Sequence, residues 1–209
     1  MKIKHYTLSV LLALFISALP FTHVMASELS APQVSIAEAS DKLQQRMQDK
    51  GFIKDFNKVT QFVDQTIYPH VDFDKISALV LGKIWKTATP DEQIRFKKEF
   101  QTLLVRTYSR AFSEFKEWSI RFLPSEMEDG ATKVIVKTEV LQPGVQPIAV
   151  NYRMYLSGNE WKAYDIMIEG VSLVTNYRTT FSDEVQAKGS LNAVIESLAK
   201  RNAEALKNS

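Results

Sequence analysis

The spacing of apolar residues changes once along this chain, near residue 118, and this change limits the folds that the chain can adopt. Before residue 118, apolar side chains recur every three or four positions, as in Ile36, Ala39 and Leu43, which is typical of amphipathic helices. After it, apolar and polar residues alternate, beginning with Trp118–Phe122, which indicates strands. Helices followed by a run of strands predict an α+β fold.

Four helices are predicted before this change, and two more close the chain. The fourth helix has the clearest start, because Thr89 can cap it, Pro90 stands where no N–H is required, and two acidic residues follow near the positive end of the helix dipole. The four helices are predicted to run from Ile36 to Gly51, from Phe52 to Tyr68, from Asp72 to Leu81 and from Thr89 to about Phe115.

The alternating part predicts an antiparallel sheet of about four strands. Short turns containing Gly130, Gly144 and Gly158 separate the strands, and short turns join neighbouring antiparallel strands. One face of this sheet is apolar, so helices must cover it. The strands are predicted over residues 118–122, 133–142, 148–157 and 161–169.

The N-terminus has the pattern of a secretory signal peptide. Lys2 and Lys4 precede an uncharged stretch, and Val24-Met25-Ala26 offers small residues for cleavage after Ala26. The apolar core, residues 7–19, is shorter than the roughly 20 residues that cross a bilayer, which argues against an uncleaved anchor. We therefore expect a cleaved segment at residues 1–26, a loose leader at 27–34 and a single domain at 35–207.

Cleavage would leave few residues for catalysis or metal binding. The chain has no cysteine, and the mature part would carry 24 basic and 24 acidic side chains (24 − 24 = 0) and one histidine, His70. Thiolate metal sites, cysteine nucleophiles and a charge-driven nucleic-acid interface are therefore not expected. His70 lacks partners at the spacing of a metal site or a catalytic triad, so we interpret it as structural or exposed.

Asp165 is the one acid whose surroundings invite a functional interpretation. It stands between Tyr164 and Ile166 in the last predicted strand. Glu169 lies four residues further on, so the two acids would share one face of this strand. Paired carboxylates remain open, but a buried acid hydrogen-bonded to the backbone or to a tyrosine is the more common arrangement.

Several stretches of the chain resemble a known family. Residues 63–71 (VDQTIYPHV) and 78–90 (ALVLGKIWKTATP) resemble the N-terminal half of the MlaC-type phospholipid-binding proteins, also called the toluene-tolerance family. Residues 161–173 (WKAYDIMIEGVSL) are similar to the later signature of the same family, and Lys188-Gly189 before the last helix also fits. The resemblance covers nearly all of residues 35–200.

This resemblance implies a soluble periplasmic carrier that holds phospholipid acyl chains in an apolar cavity and maintains outer-membrane lipid asymmetry. The implied fold is a twisted antiparallel sheet wrapped by N- and C-terminal helices. The implied partners are the phospholipid itself, an outer-membrane lipoprotein complex, and an inner-membrane ABC transporter with an MCE-domain subunit. No catalytic residue, cofactor or metal is implied, no nucleic acid is expected as a partner, and we expect the carrier to act as a monomer.

The resemblance and the strand parity together predict the residues that line the cavity. Any one of them could instead belong to an ordinary close-packed core. The predicted lipid-binding residues are Phe100, Leu104, Tyr108 and Phe112 on the long helix and, facing them, Tyr152, Met154, Tyr164, Ile166, Ile168, Val171, Leu173 and Tyr177.

Two other functions stay open at this point. One is a periplasmic adaptor that binds a membrane protein through its helices and carries no ligand. The other is a small α+β enzyme that uses Asp165 with Tyr164, against which stands the lack of a second histidine, of cysteine and of a metal-ligand cluster.

Overall fold

The computed structural model describes residues 28–114, 117–125 and 127–207, without the side chains of residues 50, 53, 110–114, 206 and 207. The predicted signal peptide lies outside the described residues. Within the described part, no helix is long and apolar enough to cross a membrane.

The strands form one antiparallel meander, as the alternation predicted. Within the described ranges, five strands follow one another in the order of the sequence, each hydrogen-bonded to the next. The fifth strand was not predicted, because two residues are too few to show alternation. The strands are β1 (Ser119–Phe122), β2 (Lys133–Leu141), β3 (Ile148–Ser157), β4 (Glu160–Ile168) and β5 (Val171–Ser172).

A bulge between β3 and β4 changes which side chains of β4 face inward. Met154 pairs with Ala163 and Arg153 pairs with Asp165, so Tyr164 is an extra residue in β4. A bulge of this kind breaks the regular alternation. Tyr164 therefore lies on the outer face of the sheet, where its ring contacts that of Tyr155 at 5.9 Å between centroids. Its predicted place on the inner face is wrong for this reason.

The N-terminal helices differ in their bounds from the prediction. The first, α1 (Ala31–Met47), starts inside the predicted leader, because the Gln33 side chain accepts a hydrogen bond from the Ser30 N–H at 2.9 Å and Pro32 suits a first turn. Within the described part of the predicted leader, only residues 28–30 lie outside regular secondary structure.

The predicted second helix is divided into several pieces. Asp49 accepts hydrogen bonds from the N–H groups of Gly51 and Phe52, and Asp55 accepts one from Lys58, so each aspartate caps a new short helix. The pieces are α2 (Lys50–Ile53), α3 (Phe56–Phe62), a π-helical turn (Val63–Ile67) and a 3₁₀ turn (Tyr68–His70).

The capping signals before the longest helix are confirmed. Thr89 Oγ1 accepts a hydrogen bond from the Glu92 N–H at 3.2 Å, and the Glu92 carboxylate accepts one from the Thr89 N–H at 2.8 Å. Gly82, with φ 56° and ψ −115°, ends the preceding helix in a conformation that side chains disfavour. The helices here are α4 (Phe73–Leu81), α5 (Lys83–Thr87), which was not predicted, and α6 (Pro90–Glu114).

Two helices follow the sheet, α7 (Leu173–Lys188) and α8 (Leu191–Lys207), joined through Gly189 in the left-handed conformation. The predicted α+β fold, with a meander covered by N- and C-terminal helices, is confirmed.

Among the described residues, most buried apolar side chains fall into three separate clusters instead of one. We call them the helical cluster, between α4, α6, α7 and α8; the sheet cluster, between α1 and strands β2 to β4; and the N-terminal cluster, between α2, α3 and α6. The helical cluster is centred on Phe96, Phe100 and Phe181. The sheet cluster consists of Ile36, Val136, Met154 and Ala163. The N-terminal cluster consists of Phe52, Val59 and Val105.

The helical cluster should carry much of the stability. Phe96 is fully buried, and its ring contacts those of Phe181 and Phe100 at 5.0 and 5.6 Å. We expect Phe96→Ala to lower the free energy of unfolding by about 3–5 kcal/mol, because it leaves a cavity among these rings. Urea denaturation will measure this change. Ile94→Ala, two residues away on α6 with its side chain 63% exposed, is the control and should change stability by less than about 1 kcal/mol. Equal effects of the two substitutions would contradict the assignment of the core.

Candidate functional site

An apolar cavity of about 340 Å³ lies where the three clusters approach one another. Each cluster contributes to its wall, through Phe73, Ile76, Phe100 and Val174 from the helical cluster, Ile36 and Ala163 from the sheet cluster, and Phe52, Val59 and Val105 from the N-terminal cluster. The cavity therefore occupies the space in which a single continuous core would otherwise form.

This cavity is too large to be a packing defect. Protein interiors rarely contain voids larger than a water molecule, whose share of liquid volume is about 30 Å³. A volume near 340 Å³ falls instead within the range of small-molecule binding pockets. The ordinary-core alternative thus does not account for the centre of this protein.

The sheet and α6 form two facing walls of the cavity. On the sheet, Tyr152 pairs with Ile166 and Val150 pairs with Ile168, so these four side chains share the inner face. On α6, the lining residues are separated by multiples of about one helical turn, which places them on one face of the helix. They are Phe100, Leu104, Val105, Tyr108 and Ser109. Eight of the predicted residues line the cavity: Phe100, Leu104, Tyr108, Tyr152, Ile166, Ile168, Leu173 and Tyr177. Whether they contact lipid stays a prediction.

The other predicted residues are not part of the described wall. Met154 is on the inner face, but it lies under α1 and is fully buried in the sheet cluster, behind Ile36 and Ala163. Val171 belongs to the two-residue edge strand β5 and is 59% exposed. Tyr164 faces outward because of the bulge, and the side chain of Phe112 lies outside the described residues.

The N-terminal helices form a third wall that the sequence-based prediction missed. Their apolar stripes were recognised, but were assigned only to covering the sheet. No feature of spacing distinguishes a stripe that faces a cavity from one that faces packed side chains. The residues of this wall are Ile36, Ala39, Ser40, Leu43 and Met47 of α1, Phe52 of α2, Val59 of α3, Val63 and Ile67 of the π-helical turn, and Tyr68, His70 and Val71 after it.

Among the described residues of the wall, Asp165 is the one carboxylate, and it is fixed by hydrogen bonds. Its Oδ1 accepts from the Val174 N–H at 3.1 Å, and its Oδ2 accepts from the Ser172 hydroxyl at 2.7 Å. Ser172 in turn caps α7 by accepting from the Thr175 N–H. The carboxylate is 3% exposed and joins the end of the sheet to the start of α7. The interpretation as a buried acid bonded to backbone is confirmed, although its other partners are the hydroxyl of Ser172 and, at 3.5 Å, the guanidinium of Arg153, and not a tyrosine.

His70 also has a local partner. Its Nδ1 lies 3.0 Å from the hydroxyl of Ser35 on α1. Burial lowers the pKa of His70 from its ordinary value. Among the described residues, no group of three or more acidic or histidine side chains is arranged to hold a metal ion.

The bonds of Asp165 lead to a prediction about stability. Asp165→Ala removes the acceptor of a buried N–H, which should lower the free energy of unfolding by about 1–3 kcal/mol. Chemical denaturation will measure it, with Asp183→Ala on the exposed side of α7 as the control, for which we expect a change within about 0.5 kcal/mol. A stability of the Asp165 variant equal to that of the control would show that the carboxylate does not hold α7.

Comparisons with known proteins agree with this architecture. The profile described as MlaC protein matches residues 37–200. The intermembrane phospholipid transport system binding protein MlaC of Haemophilus influenzae is 29% identical over 171 residues, which are 78% of each chain. The toluene tolerance protein ttg2D of Pseudomonas putida is 29% identical over 129 residues, which are 61% of this chain and 59% of that protein.

A solved structure is similar over most of the fold. It is a phospholipid-binding protein from Ralstonia solanacearum, determined in complex with a phospholipid. It is 31% identical to this chain and superposes with a TM-score of 0.77, covering 84% of this chain and 99% of its own.

Proposed function

This chain belongs to the MlaC family, and from that premise we propose that it is a phospholipid carrier that holds acyl chains in the cavity between the sheet, α6 and the N-terminal helices. The observation that carries the proposal is the cavity itself, whose wall is almost entirely apolar. The phospholipid found in the similar Ralstonia solanacearum structure supports the same ligand class.

The energetics favour a filled cavity. An empty apolar cavity in a protein core costs roughly 24 cal/mol per Å³, so 340 Å³ would cost on the order of 8 kcal/mol. That cost is comparable to the whole stability of an ordinary domain, about 5–15 kcal/mol. A hydrocarbon ligand removes it by restoring contacts along the wall.

The same arithmetic explains why a carrier is needed and why it needs partners. Two acyl chains hold on the order of 30 CH₂ groups, whose exposure to water costs roughly 20 kcal/mol or more. Release into water is therefore negligible, and transfer requires a docked partner that offers an apolar path. We propose an outer-membrane lipoprotein complex and an inner-membrane ABC transporter with an MCE-domain subunit as these partners.

We further propose that the carrier works in the periplasm, after removal of residues 1–26, and that it has no catalytic step. The pattern of the first 26 residues supports the location. The acceptor oxygens of Asp165 are bonded to Val174 and Ser172, which argues against the enzyme alternative. An adaptor without a ligand would have no use for a cavity of this size.

Co-purification tests the proposal directly. The full chain is expressed in a Gram-negative cell, and the exported protein is purified without detergent and examined by native mass spectrometry and solvent extraction. We expect phospholipid in roughly one-to-one ratio with the protein. Protein that is reproducibly empty, and that takes no phospholipid from donor vesicles, would contradict the proposed function.

Two isoleucines of the same sheet provide a matched pair of variants for this assay. Ile166→Asp places a charge in the cavity wall and should reduce bound phospholipid at least tenfold. Ile135→Asp changes a residue on the outer face that is 44% exposed, and its occupancy should match the wild type. If Ile166→Asp does not fold, Leu104→Trp fills the same cavity without a charge and should lower occupancy as well. Full occupancy in both cavity variants would place the lipid elsewhere.

A further inference from the structure

The edge of β4 is a place where the sheet meets the helical cluster. Within the described ranges, β5 pairs only with Met167 and Ile168 of β4, so no strand covers the rest of this edge. The chain that leads into α4 covers it instead: Val71 forms a parallel bridge with Ala163, and the Asp72 N–H donates to the Ala163 carbonyl at 2.9 Å. Val71 and Ala163 both line the cavity, so this contact, which we call the β4 seam, is part of the cavity wall.

The first turn of α4 has side chains on both sides of the β4 seam. On the inner side, Phe73 and Ile76 line the cavity. On the outer side, the Lys75 ammonium lies 3.6 Å from the ring centroid of Tyr155 and 5.2 Å from that of Tyr164. Separations below about 6 Å are typical of cation–π contacts. A single side chain of α4 therefore contacts both β3 and β4 from outside.

Asp72 completes this outer contact. Its Oδ1 accepts a hydrogen bond from the Lys75 N–H at 2.9 Å, which caps α4, and its Oδ2 accepts one from the Tyr155 hydroxyl. The bond to Asp72 raises the pKa of Tyr155, so the hydroxyl keeps its proton at neutral pH. The bulge in β4 turns Tyr164 outward and so brings a second ring to Lys75. We call Asp72, Lys75, Tyr155 and Tyr164 the clasp.

The clasp closes the β4 seam with contacts that are individually weak. Strands β1 to β4 are joined by backbone ladders, and α4, α6 and α7 share the closely packed helical cluster. At the β4 seam, by contrast, half-buried side chains supply much of the contact. A cation–π contact and a hydrogen bond near the surface each contribute little net stability, so such a contact opens locally without unfolding of the domain.

We propose that Lys75 is a positioning residue of the carrier, whose clasp keeps the β4 seam closed beside the bound acyl chains, and that lipid enters and leaves the cavity when the clasp opens. This inference rests on the proposed function. The clasp lies on the outer face of the sheet, so it does not contact the acyl chains. Its loss should therefore change the rate of lipid exchange and leave the amount of bound lipid unchanged.

A disulfide across the β4 seam tests whether the seam opens. Val71 and Ala163 are bridge partners, and neighbouring strands lie about 4.8 Å apart, a separation that a disulfide spans. The chain has no cysteine, so Val71→Cys/Ala163→Cys introduces the only two thiols. The full chain is exported with its native lipid, because the disulfide forms in an oxidising compartment. It is then incubated with vesicles of deuterated phosphatidylethanolamine and phosphatidylcholine, and native mass spectrometry follows replacement of the bound lipid.

We expect the oxidised double variant to exchange lipid at least about tenfold more slowly than the same protein after reduction, because a covalent bond replaces contacts that open locally. The wild type has no thiol and controls for the reductant, which should not change its rate. The incubation is extended until half of the lipid on the wild type has been replaced.

A set of lysine variants tests the clasp itself. Lys75→Met removes the charge and keeps the length of the side chain, and it should exchange lipid about two- to fivefold faster than the wild type, which is the effect of one cation–π contact near the surface. Lys75→Arg keeps the cation and should retain the wild-type rate. Lys83→Met removes an exposed charge from α5 and is the control. All these proteins should hold the same amount of lipid at equilibrium.

Two results would overturn the inference. The first is equal exchange by the oxidised and reduced forms of the double variant, which would show that lipid passes elsewhere. The second is equal exchange by Lys75→Met and Lys83→Met. If Lys75→Met does not fold, Tyr164→Leu removes one ring of the clasp and should accelerate exchange as well. A wild type that carries no lipid and acquires none from the vesicles would instead contradict the proposed function.

Discussion

The structure depends on an apolar space that the chain's own side chains do not fill. The inner face of the sheet, one face of α6 and the stripes of the N-terminal helices are all apolar, yet their buried residues pack into three separate clusters. Where the clusters approach one another, the faces remain apart and enclose about 340 Å³. The fold therefore leaves apolar surface for a ligand to cover.

Polar groups at the cavity wall form hydrogen bonds within the protein, which makes the wall compatible with a hydrocarbon ligand. The carboxylate of Asp165 accepts hydrogen bonds from Val174 and Ser172, and the hydroxyl of Tyr68 donates to a backbone carbonyl. Such bonds offset the cost of burying these groups. The same hydrogen bonds join β4 to α7 and the 3₁₀ turn to α6. They therefore also hold together the elements that form the wall.

Much of the fold follows from local sequence, because the decisive features are local. The change from helical spacing to alternation predicted the α+β class, and the capping box at Thr89 located the start of α6 correctly. The sequence-based prediction missed the early start of α1 and the helix boundaries at Asp49 and Asp55. Apolar spacing continues across these two boundaries, although the aspartate side chains cap new helices there.

The site was predicted less completely than the fold, for reasons that lie in tertiary structure. A single extra residue in β4 turned Tyr164 outward and left Ile166 inward, and alternation in the sequence does not reveal such a bulge. Met154 has the correct facing but lies under α1, where it is fully buried with Ile36 and Ala163. Which apolar residues border a cavity depends on where helices from distant parts of the chain stop, and spacing within one element does not contain that information.

The central claim is that acyl chains occupy the space between the sheet and α6. The most direct measurement is a crystal structure of the protein purified with its native lipid. Continuous density for hydrocarbon chains should lie between Leu104 on α6 and Ile166 on β4. An empty cavity in protein that carries stoichiometric phospholipid, with the lipid bound to another surface, would contradict the account.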